Sequence, residues 1–305
     1  MTKFRKLLLL AATAAIALPQ MAGAARPWLL PSETMFTGSG NEWLTVDAAI
    51  SSDLYYFDHP GQDWQPIVTA PDGSTAQVEN RALGKLRQTF DLGIKTRGTY
   101  KIAITNEMLI GNYMLNGERK MLPRGTTAAT LATALPQGAT DVQTATALTR
   151  IETFVTAGEP DRKVFTTTGK GLEMVPVTHP NDLAVGEAAT FQFLLNGKPA
   201  AGLDVTAIPG GIRYRSDLKQ MDAKTDAQGK VSFTWPEAGM YWVSLSTGGR
   251  RGPGGEGPAG PGGAPATGRP QGAPQAPPQG EDGPPRPMGP PQDRATYAMT
   301  VEVQG

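Results

Sequence analysis

Two imidazoles, no thiols and a scatter of carboxylates make up the reactive inventory of this 305-residue chain. His59 follows Asp58 in the run Asp58-His59-Pro60-Gly61, with Asp53 and Asp63 near in sequence. His179 opens the run His179-Pro180-Asn181-Asp182. An imidazole flanked by carboxylates is a mixed nitrogen and oxygen donor set, of the kind that suits nickel, cobalt, copper or zinc. His59 with Asp58, and His179 with Asp182, are therefore the candidate metal ligands. The competing reading is that both runs are turns whose polar side chains bond local backbone, since the two histidines do not have the spacing of a zinc motif. Nucleophilic chemistry finds less support. Cysteine is absent, and Gly-x-Ser-x-Gly, His-Glu-x-x-His, phosphate-loop and dinucleotide glycine patterns are all missing. The chain reads as non-enzymatic. The aromatics Trp28, Trp43, Tyr55, Tyr56 and Trp64 could line a groove or fill a core.

The elements that must position these residues read as short strands divided by turns. Phe90, Leu92 and Ile94 alternate with polar neighbours, and so do Tyr100, Ile102 and Ile104; period 2 marks half-buried antiparallel strands. Leu54 to Phe57 and Ile212 to Arg215 also read as strand. Asn116-Gly117 and Asn196-Gly197 are hairpin signals, and Pro71-Asp72-Gly73-Ser74 is a turn in which Pro fixes φ and Gly supplies a positive one. Residues 126–148, rich in Ala, Thr and Gln, read as either a short helix or an ordered connector. Gly98-Thr99-Tyr100 and Gly239-Met240-Tyr241 each open a strand. Either this repeat marks the tyrosine corner of immunoglobulin-like sandwiches or it recurs by chance. The expected class is all-β: two immunoglobulin-like antiparallel β-sandwich domains in tandem, residues 25–148 and 149–305.

Two further segments stand apart. Lys3, Arg5 and Lys6, the apolar run Leu7 to Leu18, Pro19, and the small residues Ala22-Gly23-Ala24 form the three-part pattern of a secretory signal peptide. The run is shorter than the ~20 residues a membrane-spanning helix needs. Residues 1–24 are expected to be removed and the mature chain to lie in the periplasm, with no transmembrane segment. Residues 248–293 are dominated by Gly and Pro without a strict Gly-X-Y register, which excludes collagen. Such a chain cannot bury enough apolar surface to offset its ordering entropy; a long disordered insertion before the last strand is expected. Lys+Arg 28 against Asp+Glu 28, with three of the bases in the leader, argues against nucleic acid as a partner.

Several segments carry a family resemblance: Arg26-Pro27-Trp28-Leu29-Leu30-Pro31, Trp43 to Ala48, Leu54 to His59, Arg150 to Thr156 and Leu172 to Pro180. Together they resemble a periplasmic family of unknown function, whose members are often labelled periplasmic components of cobalt or nickel transport systems. The resemblance implies a metal or small-ligand binding component of an uptake system, with a membrane transport component or another envelope protein as partner. A non-catalytic envelope interaction module is the alternative. Many relatives carry a His just before the Arg-Pro-Trp segment; here that position is Ala25, so the best-placed ligand is missing. The second half, through Gly197 to Gly202 and Thr225 to Lys230, resembles the small sandwich modules of carboxypeptidase regulatory domains.

Overall fold

The computed structural model describes residues 25–248 and 290–305. The leader and most of the Gly/Pro insertion lie outside the described residues. In the first half the strands are β1 (Arg26–Pro31), β2 (Met35–Phe36), β3 (Glu42–Ser51), β4 (Ile67–Thr69), β5 (Thr75–Ala76), β6 (Glu79–Leu83), β7 (Gln88–Ile94), β8 (Gly98–Leu115) and β9 (Glu118–Met121). The single helical turn α1 (Leu131–Ala134) precedes β10 (Thr140–Ala157). The second half adds β11 (Leu172–Pro176), β12 (Ala188–Leu195), β13 (Lys198–Pro199), β14 (Asp204–Pro209), β15 (Met221–Lys224), β16 (Lys230–Thr234), β17 (Gly239–Ser246) and β18 (Arg294–Val303).

Local chemistry places the turns as expected. Asn116 and Gly117 have φ of 54° and 81°, and Asn196 and Gly197 51° and 76°, the paired positive values of a type I′ hairpin. Gly98 and Gly239 have φ of 120° and 129°, a region that L side chains rarely adopt. Each places the tyrosine two residues on to close a corner. The Tyr100 hydroxyl donates to the Thr96 carbonyl at 3.0 Å and accepts the Thr96 and Lys95 N–H groups. The Tyr241 hydroxyl donates to the Glu237 carbonyl at 2.9 Å. Both are tyrosine corners.

Two readings of local structure change. Leu54 to Phe57 form a turn, because Tyr55 takes a φ of 67°. Ile212–Tyr214 is a 3-10 turn entered through Gly211 at φ 74°.

The chain is all-β, built of immunoglobulin-like sandwiches that share a sheet. One outer sheet has the order β1-β3-β7-β6; the other contains β11, β12, β13 and β16. Between them runs a ten-stranded sheet, β15-β14-β17-β18-β10-β8-β4-β5, with β2 on β10 and β9 on β8. β10 and β18 join its two halves by a parallel pairing, Ala147 opposite Arg294 through Thr153 opposite Thr300. β10 thus runs through residue 148 and serves both halves of the molecule.

Side-chain alternation divides these strands between two cores. Ile151, Val155, Trp242 and Ala298 join Trp28, Leu44, Phe90 and Tyr100 on one face. Phe154, Tyr241, Val243, Tyr297 and Met299 join Phe191, Phe193 and Trp235 on the other. Each large apolar side chain so buried contributes roughly 1.5–3 kcal/mol. Trp242 also donates its indole N–H to the Pro27 carbonyl at 2.8 Å, tying β17 to β1. β17 and β18 pair antiparallel up to Ser246 opposite Thr296, so the insertion joins two adjacent strands.

Candidate functional site

His59 lies on the loop between β3 and β4. Its Nδ1 is 2.5 Å from the Asp58 carboxylate, and both side chains are more than a third exposed. Asp58 is itself fixed by the backbone N–H of Ser52, at 3.0 and 3.1 Å to its two oxygens. Burial pushes the Asp58 carboxyl up, but the bonds from His59 and Ser52 outweigh it and hold the group below the usual carboxylate range. The neighbouring acids point elsewhere. Asp53 accepts from Arg213 Nε at 2.8 Å, and Asp63 pairs with Arg81 at 2.7 Å.

His179 sits in the turn after β11 and is buried. Its Nδ1 accepts the Asn181 backbone N–H at 3.1 Å. The proton therefore resides on Nε2, which donates to the Asp161 carbonyl at 2.9 Å and lies 3.1 Å from Thr99 Oγ1. From there hydroxyls carry the chain onward. Thr99 Oγ1 is 3.0 Å from Thr156 Oγ1, which donates to Asn181 Oδ1 at 3.0 Å. The Asn181 amide closes on the Phe154 carbonyl at 2.9 Å. Strands β8 and β10 and the turn after β11 are stitched together in this way. Burial lowers the His179 pKa, with Arg162 acting in the same sense and the Asp161 carbonyl bond, Asp182 and Asp161 opposing. Asp182 contributes its backbone N–H to the His179 carbonyl at 3.0 Å. His59 and His179 thus occupy separate loops. Among the described residues no group of three or more His, Cys, Asp or Glu is placed to hold a metal ion.

A third arrangement lies where the 52–64 loop meets the segment after β14. Arg213 stacks on Tyr56, its guanidinium carbon 3.1 Å from the ring centroid, while its Nε holds Asp53. The hydroxyls of Tyr56 and Tyr214 are 2.8 Å apart, and that bond is the leading cause of a raised Tyr56 pKa. Tyr214 is 78% exposed. Its loop is clamped from behind by Arg215, which donates to the carbonyls of Gly210 at 2.5 Å and Pro209 at 2.6 Å. Sequence reading assigned Ile212 to Arg215 to a strand and missed this clasp. The Gly210-Gly211 pair ahead of Arg213 and Tyr214 was the available signal, since adjacent glycines mark a loop. Of the five aromatics singled out, Trp28 is core and Trp43 is 54% exposed; Tyr55, Tyr56 and Trp64 are half-buried.

A fourth cluster is internal. Arg150 lies between Glu152 at 3.7 Å and Glu173 at 3.5 Å, all three buried. The Tyr297 hydroxyl donates to Glu152 at 2.7 Å. Burial pushes the Tyr297 hydroxyl pKa far up, with the Glu152 charge adding to it.

Comparison with known proteins adds the following. No curated protein matches this sequence. Among solved structures, the D0-D1 domain of Intimin is 15% identical with a TM-score of 0.20, over 71% of this chain and 88% of that one. The Yersinia pseudotuberculosis adhesin InvE is 12% identical with a TM-score of 0.22, over 73% of this chain and 56% of that one. A family model matches residues 22–249, and the chain belongs to that family, Domain of unknown function (DUF4198).

Proposed function

We propose that this protein is a non-catalytic module of the bacterial envelope, exported by its N-terminal leader and working by docking an envelope protein through the Tyr214 face. The observation that carries the reading is the clasp. The Tyr214 ring is 78% exposed, and its loop is pinned by Arg215, by the Arg213–Asp53 pair and by the Tyr56 hydroxyl. Tyr and Arg dominate the energetic centres of interfaces, and a preorganised loop reduces the entropy lost on association. A photo-crosslinking side chain in place of the exposed Ser216, beside Tyr214, in cells, tests the docking. A discrete adduct that disappears when Arg213→Ala releases the clasp supports it. An exported, folded protein that forms no adduct refutes it. N-terminal sequencing tests export, with a mature start at Ala25 expected.

One observation favours a second reading, a nickel- or cobalt-binding component of an uptake system. The Asp58–His59 pair is solvent-facing, and His59 Nε2 has no bond among the described residues. A metal would bind there with one imidazole nitrogen and ligands from a partner. His179 and Asp182 would contribute only if the buried network opened, because both ring nitrogens already carry bonds. Calorimetry with each ion separates the readings. Heat that is lost in His59→Ala and kept in His179→Ala supports the metal role at His59; no heat at neutral pH leaves the docking module.

A further inference from the structure

A cleft of about 310 Å³ opens at one end of the second sandwich. It lies where the mouth between the middle and second outer sheets meets the middle of the long β8–β10 ladder, at Glu107 and Leu148. Its apolar floor is Leu148, Leu195 and Ala295, and Lys170, Glu107, Asp293 and Arg294 stand around it. The walls are held firmly. Gly171 N–H donates to Asn196 Oδ1 at 2.8 Å and Asn196 N–H returns to the Gly171 carbonyl at 2.9 Å. Gly171 has φ +68°, a left-handed conformation that favours glycine, and a Cβ there would meet Leu148 Cδ2 at 2.2 Å, so any other residue would push the Leu148 side chain aside. On the opposite side Thr247 and Ala295 exchange two bonds, of 3.0 and 2.9 Å.

The charges of this rim are balanced, two of each sign. Lys170 Nζ bridges to Glu107 at 2.5 Å, and Asp293 uses one oxygen to accept the Thr146 N–H at 2.8 Å, leaving the other for a ligand. A simple anion would meet two carboxylates here and a simple cation two bases. A molecule carrying both charges meets an opposite partner for each, while its body covers the floor. The volume is at the lower limit for ligand pockets and suits a molecule of amino-acid size.

We propose that this cleft binds a small zwitterion with an apolar side chain, an apolar α-amino acid. Its carboxylate faces Arg294 and Lys170, its ammonium faces Asp293 and Glu107, and its side chain rests on Leu148, Leu195 and Ala295. The role is independent of the Tyr214 face. The test is an amide-resolved NMR titration of the full mature chain with L-leucine. Saturable shifts centred on Gly171, Asn196, Thr247 and Ala295 are expected. Glycine, 4-methylpentanoate and 3-methylbutylamine, which lack in turn the side chain, the ammonium and the carboxylate, should each bind about tenfold more weakly or worse. N-acetyl-leucine amide should not bind, which separates a free amino acid from a residue within a peptide. Leu195→Trp, filling the floor, and Arg294→Gln should each weaken leucine binding by about tenfold or more, with the spectrum elsewhere unchanged. The proposal is overturned if leucine gives no saturable shifts, if 4-methylpentanoate binds as well as leucine, or if a folded Leu195→Trp protein binds it undiminished.

Discussion

Replacing His179 by Leu should destabilise the molecule by about 2–6 kcal/mol at pH 8. Leucine fills most of the buried ring's volume but offers no polar atoms. Two groups then lose their partner: the Asp161 carbonyl, bonded to Nε2 at 2.9 Å, and the Asn181 N–H, bonded to Nδ1 at 3.1 Å. Thr99 keeps Thr156 and the Asp161 N–H, so it is not stranded. Each stranded buried group costs about 1–3 kcal/mol, which sets the range. The pH dependence carries a sign. Burial holds the folded-state pKa of His179 below its ordinary value of 6.5, so below that pH the unfolded chain takes up a proton that the folded one resists. The stability due to neutral His179 is complete above about pH 6.5 and is lost as pH falls toward the folded pKa, with a slope of at most about 1.4 kcal/mol per pH unit. The leucine variant lacks that term. Urea unfolding of both proteins from pH 8 to pH 5 measures it, and the gap between them should narrow on acidification. A gap under 0.5 kcal/mol, about what an ordinary surface substitution costs, or one that stays constant with pH, would refute the reasoning.

Two other outcomes follow from the same geometry. Tyr100→Phe should cost more than Tyr241→Phe, about 1–3 against 0.5–1.5 kcal/mol, because the first hydroxyl serves three backbone groups and the second one; denaturant midpoints check the order. Replacing residues 249–289 by a short Gly/Ser linker should leave the thermal midpoint within a few degrees, because Thr247 and Ala295 already bond across the gap and loop closure depends weakly on length; a drop of ten degrees or more would mean that the segment packs on the body.

The strands that alternate strictly were legible because period 2 is a local property. β7 reads Gln88–Ile94 with every second residue buried, and the Asn-Gly pairs fixed their hairpins through their own φ preferences. Apolar runs without a partner misled. Leu54 to Phe57 looks like strand, but Tyr55 must turn left-handed to pack its ring over Gly210, where any Cβ would meet it at 2.8 Å. That constraint comes from a residue far along the chain, and no local pattern carries it. The same distance hid the clasp, since Tyr56 and Tyr214 bond across 158 positions. The histidines were visible as residue types. What sequence could not supply was their surroundings: one faces solvent beside a single carboxylate, and the other is buried among threonines and an asparagine with both nitrogens bonded.

The shared strand has a consequence for how the two halves hold together. β10 gives Ile151 and Val155 to one core and Phe154 to the other, and its parallel partner β18 does the same with Ala298 against Tyr297 and Met299. Melting the first sandwich would strip β8 from β10, along a pairing that runs from Thr140 to Ala157. The Trp242 bond to Pro27 would break as well. The second sandwich would then keep its outer sheet while one face of its inner sheet lay open to water. Exposing Trp242, Ile208 and Ala298 together removes several kcal/mol of burial at ~25 cal/mol per Å², comparable with the whole margin of a domain. Two sandwiches joined only by a linker could unfold one at a time. Two that divide the faces of one strand between them should unfold together, in a single transition.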